Sequence, residues 1–420
     1  MSKTSIKGLK INNTIIKRIS GPVNFCLLKT IPGENLEDLK KSNINPPIVL
    51  LFGDIHHSND NLCKKCDSES NCFSIQENSF LKLIDSLSDI KKLIIDFNVE
   101  HSFDLNPTEY DVNDVYPMSV LHYKILPCLR KEKSCYTKNI KWHYVDTRVT
   151  PKTKYYYENS FTNNFAVIHK LRESLFGKDK EDALYSMVET ILNLCEPNQT
   201  VITQHKYINN LTNILKTLKY KNLDNLFEKS NINNSLIYKQ IKKLNSPYND
   251  VDFWKKNCNI FLSYIFTDIP QENIDGLKNL FDTILDISEI FFKNKDTYTR
   301  EELLNSIFDA YYQELSEISM FLLLTKNVEE ILLVISSTFL DLYYITRMLK
   351  VPYKSKNAEL SIGYFGKNHL KNIQYFLMDI LKIYEVINYE EIKYIKESPS
   401  RCLVFNEYID LDSIIDESKK

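Results

Sequence analysis

The chain has 420 residues, with 53 basic and 55 acidic side chains and a formal net charge of -2. That balance gives no electrostatic reason to expect nucleic acid or an anionic membrane as the main partner. A content of 43% hydrophobic and 26% charged residues excludes a disordered chain. The length suits two or three domains, or one α/β domain with a large insertion. Gly is scarce (8 residues), and so is Ala (Ala166, Ala183, Ala310 and Ala358), while Asn, Lys, Ile and Tyr abound. We read this as the imprint of AT-rich coding, which makes each remaining Gly worth examining.

The N-terminal MSKTSIKGLKINN is polar, and no secretory signal is expected. A hairpin is predicted from Thr14–Ile19 and Val23–Ile31, turning at Ser20-Gly21-Pro22 and adding antiparallel edge strands. Four short apolar runs bounded by polar residues read as strands covered on both faces: Ile48–Phe52, Leu93–Phe97, Trp142–Val145 and Leu360–Phe365. Between the first two, Ser74-x-x-Glu77 is a capping box for a helix over Gln76–Lys91, so a parallel crossover is expected. Cys63-x2-Cys66-x5-Cys72 could hold zinc with one more ligand, carry a disulfide or stay reduced.

From Phe161 to Lys350 the pattern is helical: Ala183–Leu194, Val251–Phe266, Ile274–Phe292, Arg300–Leu324 and Val328–Lys350. The Lys- and Asn-rich stretch Lys206–Asn245, with Tyr207, Tyr220 and Tyr238, is better read as a solvated helical face than as a nucleic-acid surface. The most apolar stretch, Met320–Met348, is broken by Lys326, Glu329, Glu330, Asp341 and Arg347. No run approaches the ~20 apolar residues of a membrane span, and a soluble protein is expected. The predicted organisation is an α/β fold with a mostly parallel sheet flanked by helices. Residues 1–46 form the hairpin or edge segment, 47–150 the first part of the sheet domain, 151–340 a helical insertion, and 341–420 the return to the sheet and a C-terminal tail.

Each predicted strand runs into chemistry-bearing residues: Gly53-Asp54-Ile55-His56-His57, then Asp96 with Glu100 and His101, then Asp146-Thr147-Arg148, then Gly366-Lys367-Asn368-His369. Ligands of open parallel sheets bind beyond the carboxyl ends of the strands, so these residues are expected to converge. Two imidazoles and a carboxylate can hold a divalent ion, a further carboxylate can act as base, and an arginine can stabilise developing negative charge. The pattern G-x-x-H occurs twice, at Gly53–His56 and Gly366–His369. With so few Gly and His, chance predicts about 0.15 occurrences. On the helix leading into the last strand, Asp341, Tyr344 and Arg347 share a face. That face reads as packing with one ion pair, or as placing Arg347 as an anion clamp beside Arg148.

This set resembles the TraB/PrgY, Tiki, ChaN and erythromycin-esterase-like superfamily. There a first strand ends in G-E-x-H or G-x-x-H, an acidic residue follows a middle strand, and a second G-x-x-H lies near the C-terminus. The order Phe52–His56, Asp146-Thr147-Arg148, Arg347-Met348-Leu349-Lys350 and Gly366–His369 is similar to uncharacterised proteins of large DNA viruses that infect amoebae. A viral source would imply host cytoplasm or virion. The resemblance implies a metal-assisted hydrolase acting on a peptide or ester bond in a peptide or small-molecule substrate. A divalent metal would be held by His56, Asp96 and His369, with Asp54 as base and Arg148 as electrostatic stabiliser. Asp54 and Asp96 each stand where Glu is commoner, which shifts the carboxylate oxygens by about one C–C bond. That departure motivates an alternative: a catalytically inactive viral interaction or virion protein, with protein partners bound through the helical insertion.

Overall fold

A computed structural model of the chain describes residues 7–12, 14–41, 43–54, 72–73, 79–90, 93–100, 127–128, 135, 137, 139–145, 161–194, 251–265, 267, 269–325, 328–349, 357–392 and 402–418. His56, His57, Cys63, Cys66, His101, Asp146, Thr147, Arg148 and the segment 206–245 lie outside the described residues. The chain divides into two compact units, one of residues 1–146, 240–249 and 341–420, the other of residues 147–239 and 250–340.

The strands of the first unit are β1 (Gly8–Ile11), β2 (Thr14–Ile16), β3 (Arg18–Ser20), β4 (Asn24–Thr30), β5 (Ile48–Asp54), β6 (Cys72–Phe73), β7 (Ile95–Val99), β8 (Ile140–Tyr144), β9 (Leu360–Gly366), β10 (Tyr384–Glu391), β11 (Cys402–Val404) and β12 (Tyr408–Asp410). Its first helices are α1 (Glu34–Lys41) and α2 (Ser79–Ser88). Six strands form a mixed sheet in the order β10-β4-β5-β9-β7-β8. β5, β9, β7 and β8 are mutually parallel, whereas β4 runs antiparallel to both β5 and β10. This is an α/β fold with a mostly parallel sheet. β9, which follows the long helical region, inserts between β5 and β7, so the two halves of the chain meet at the sheet centre.

Every residue of β5, β7 and β9 is buried; β5 is an unbroken apolar run, whereas β7 (Ile-Asp-Phe-Asn-Val) and much of β9 alternate apolar with polar or small residues. Alternation along the strands still divides the two faces. One face carries Ile48, Leu50, Phe52, Ile95, Phe97, Val99, Ile140, Trp142, Leu360, Ile362 and Tyr364, which join Leu83, Ile84 and Leu87 of α2 in one apolar core. The opposite face carries Asp96 and Asn98 of β7, His143 of β8, and Ser361, Gly363 and Phe365 of β9.

The expected hairpin strands form, but they do not pair with each other. β3 pairs with β11 and β6, while β4 pairs with β10 and β5 inside the main sheet. Gly21 adopts φ 116°, a conformation that favours glycine, and Pro22 follows, so the chain turns out of one sheet into another. Before β8, Cys128 and Cys135 form a disulfide, and the Trp142 indole donates to Thr137 Oγ1 at 2.7 Å. Cys26 and Cys258 are buried thiols, pushed up to about 12 by burial.

The second unit contains α3 (Phe161–Leu175), α4 (Lys180–Leu194), α5 (Val251–Ile265), α6 (Gln271–Asn294), α7 (Arg300–Leu324) and the start of α8 (Val328–Met348). Buried Leu171, Leu184, Met187, Ile191, Leu277, Phe281, Ile284, Leu315 and Ile318 recur at helical spacing and supply its core. Thr299 and Glu302 close a reciprocal capping box at the start of α7. At its other end the Arg172 guanidinium donates to the carbonyls of Leu322 (3.1 Å) and Thr325. Among the described residues no helix is long and apolar enough to cross a membrane.

From Asp341 onward, α8 belongs to the first unit. There α9 (Lys367–Tyr375) begins directly at the end of β9, and α10 (Leu411–Ser418) closes the chain. Two glycines set the packing on the polar face. A Cβ on Gly53 would lie 3.1 Å from the Lys367 Cα, so glycine lets α9 press against β5. A Cβ on Gly363 would lie 2.2 Å from Phe365 Cε2, so glycine makes room for the Phe365 ring. That ring meets Tyr344 and His369 edge-on, at centroid distances of 4.9 and 6.2 Å. Gly363→Ala is therefore expected to destabilise the first unit by about 1–3 kcal/mol, because the fully buried Phe365 has nowhere to move. Gly33→Ala, where no atom lies within 4 Å, should stay within about 0.5 kcal/mol of the parent. Urea unfolding of the two variants measures the difference.

Candidate functional site

His369 is the third residue of α9, held over the C-terminal ends of β7 and β9. Its Nδ1 lies 2.6 Å from Asp341 Oδ1 on α8, and its Nε2 lies 3.3 Å from Glu100 Oε1, just past β7. The second oxygen of each carboxylate is also fixed. Glu100 Oε2 accepts the Gly366 N–H at 2.6 Å, and Asp341 Oδ2 accepts the Asn372 amide at 2.8 Å. A carboxylate at Glu100 thus sits at the first N–H of α9, where partial positive charge accumulates. His369 is 5% exposed, Glu100 1% and Asp341 0%.

Burial alone would push the His369 proton off, but the carboxylates of Glu100 and Asp341 outweigh it and raise its pKa to about 10. Burial raises Asp341 from its ordinary value, and the neighbouring His369 opposes that rise. The direction that follows from the geometry is a cationic imidazole at neutral pH, hydrogen-bonded on both sides. Such a group can donate a proton or stabilise negative charge, and it cannot accept a proton until it has given one away.

A second cluster lies on the same sheet face. Asp96 Oδ1 is 3.3 Å from His143 Nε2. The Arg347 guanidinium lies against that ring, 3.0 Å from Nε2 and in hydrogen-bond contact with Nδ1. Between the clusters, Tyr344 and Ser361 share a hydrogen bond of 3.1 Å, and the Asn98 amide donates to Ser361 Oγ at 3.4 Å. Burial pushes the Tyr344 hydroxyl well above its usual range, so it stays a neutral partner. Asp341, Tyr344 and Arg347, spaced by three on α8, face Asp96 and Asn98 of β7 and Glu100 just past it, spaced by two. The result is a continuous buried polar layer.

The expected site residues are distributed as follows. His369 is at the centre of the first cluster. Asp96 faces His143 instead, and the acid that meets His369 is Glu100. Asp54 ends β5 beside Gly366 but lies on the apolar-core face of the sheet, where the Tyr364 hydroxyl donates to it at 3.3 Å. His56 and Arg148 are outside the described residues. Glu100 was among the strand-end residues expected to converge but was given no role, and Asp341 and His143 were not expected to share in the site. The predicted middle strand, Leu93–Phe97, is displaced two residues from Ile95–Val99. With the later boundary, Glu100 becomes the residue leaving the strand. Asp341, Tyr344 and Arg347 do share a helical face, but each reaches a different partner across the layer.

Of the three ligands that the resemblance implies for a divalent ion, Asp96 and His369 are described and have different partners, and His56 lies outside the described residues. Both ring nitrogens of His369 are engaged by carboxylates, and Asp96 is turned to His143. Among the described residues no group of three His, Cys, Asp or Glu is arranged to hold a metal ion. Compared with protein-family models, curated proteins and solved structures, the chain matches none.

The raised His369 pKa fixes the sign of a pH effect. Below about pH 6.5 the imidazole is charged in both the folded and unfolded chain, and its full stabilisation is present. Above that, only the folded state holds the proton, so stability falls as pH rises toward 10. In a Trp254→Phe background, urea unfolding followed by Trp142 fluorescence should report an unfolding free energy that drops from pH 6.5 to 9, by at most about 1.4 kcal/mol per pH unit, with the urea midpoint falling in step. His369→Gln should flatten that slope and lower the midpoint at pH 6.5. An unchanged slope would show that His369 is not the titrating group.

Proposed function

We propose that the chain is a hydrolase acting on a peptide or ester bond, with its reactive centre at His369, Glu100 and Asp341. The observation that carries this is an imidazole held between two carboxylates at the C-terminal mouth of a mostly parallel sheet, where such sheets bind ligands. Hydrolysis needs a proton delivered to the leaving atom and another taken from water. His369 supplies the first. Asp341, at the shorter contact and tied back by Asn372, orients the ring, so Nε2 is the side that turns to substrate. Glu100, at the longer contact, takes the proton from water. The sequence resemblance assigns Asp54, His56, Asp96 and Arg148 to the same strand ends as His369.

A panel of chromogenic esters and fluorogenic peptides tests the reading, run in EDTA and again with added Mn2+, Co2+ or Zn2+. The expected outcome is turnover that falls about 10²–10⁴-fold in His369→Gln and Glu100→Gln, with the circular dichroism unchanged. Turnover unaffected by both substitutions would place the activity elsewhere. Activity that requires added metal would show that His369 exchanges a carboxylate for an ion.

A second reading is favoured by the burial of all three groups, which also suits a structural ion cluster in a non-catalytic interaction protein. It predicts no turnover on any probe and a stable partner complex that survives His369→Gln.

A further inference from the structure

Arg347 presents a feature that the hydrolytic reading does not use. Its Nε–H is sealed from water and has no hydrogen-bond acceptor among the described residues. The rest of the side chain is partly exposed. Its one described contact is with the His143 ring, and that ring stands between the guanidinium and Asp96. The positive charge of Arg347 is therefore not met by a direct carboxylate contact among the described residues. A buried donor left unmade costs roughly 1–3 kcal/mol, and native structures rarely leave one without a water, ion or ligand to answer it.

We infer that Arg347 is a docking point for a carboxylate group of the ligand, accepted on the Nε edge of the guanidinium. A guanidinium is charged at every physiological pH and offers a planar pair of donors that matches a carboxylate. Phosphate is disfavoured by the surroundings. The same layer already holds the carboxylates of Asp96, Glu100 and Asp341, and the one buried cation among its described residues, His369, is shared by two. A monoanion is tolerated there better than a dianion.

The position also bears on substrate length, a point that rests on the hydrolytic reading. Arg347 stands six residues beyond Asp341 on one face of α8, about 9 Å along the helix. An extended chain covers about 3.3–3.6 Å per residue. The carboxylate would thus lie two or three residues from the bond that reaches His369.

The test needs no turnover. Protein labelled with ¹⁵N-arginine is titrated with sodium acetate against sodium chloride at matched ionic strength, and the Arg347 Nε–H resonance is followed, assigned by its loss in Arg347→Lys. The expected result is a saturable shift with acetate, no shift with chloride, and at least threefold weaker binding of inorganic phosphate. No saturable shift with acetate, or phosphate binding as tightly as acetate, would overturn the assignment. Arg347→Lys keeps a positive charge but not the planar donor pair, so an acetate-induced rise in melting temperature should be lost in that variant. Its persistence would also overturn the assignment. A site that binds acetate in a protein without hydrolytic activity would sink the hydrolase reading alone and leave the docking point standing.

Discussion

The architecture of the first unit depends on satisfying charge in a dry layer. Asp96, Glu100 and Asp341 are all more than nine-tenths buried, between a sheet face and two helices. A carboxylate there is tolerable only with a cation or donors at hydrogen-bond distance, because the desolvation cost is several kcal/mol per ion. Hydrogen bonds meet that demand at Glu100 and Asp341, and an ion-pair contact with His143 stands at Asp96. Glu100 takes His369 and the Gly366 N–H, Asp341 takes His369 and Asn372, and Asp96 takes His143. The partners come from β8, β9 and α9, and Asp341 itself from α8, so the polar layer ties α8 and α9 to the sheet. Apolar packing could achieve comparable stability, but it would not select one rotation of α8. The stripe Asp341, Tyr344, Arg347 meets its partners in only one.

The same demand explains the placement of the glycines. For His369 to reach Glu100, α9 must start at the last residue of β9 and lie close to β5. Gly53 removes the Cβ that would block the Lys367 backbone. Gly363 lets Phe365 lie against the sheet and wall the imidazole on one side. The first G-x-x-H glycine thus acts on the helix that carries the second G-x-x-H histidine. In this fold the two motifs are linked through backbone packing.

Much of this was legible in the chain itself. The four parallel strands were visible as short apolar segments bounded by polar residues, with β5 an unbroken run because both its faces are buried, and His369 was marked by its glycine and its strand end. Three things were not legible. The pairing of β3 and β4 with different sheets depends on strands near residues 384–404, which local turn chemistry at Gly21-Pro22 does not report. The partner of His369 was displaced from Asp96 to Glu100 because the middle strand ends two residues later than its apolar run, and the polar Asn98 belongs to the strand. Asp341 looked like one member of an intrahelical pair. Helical spacing shows which residues share a face and is silent about what that face meets.

Burial and catalysis make opposing demands on His369. In the proposed role His369 must reach a substrate, yet its side chain is nearly closed off. The two contacts of the ring are unequal: 2.6 Å to Asp341, which Asn372 also holds, and 3.3 Å to Glu100, whose other oxygen holds the start of α9. Opening the Asp341 side would strip a fully buried carboxylate of its cation. Opening the Glu100 side would leave that carboxylate still bonded to the Gly366 N–H, at a helix N-terminus that tolerates negative charge. The less costly route into the cluster is therefore past Glu100. It lies on the edge where β7 and β9 end.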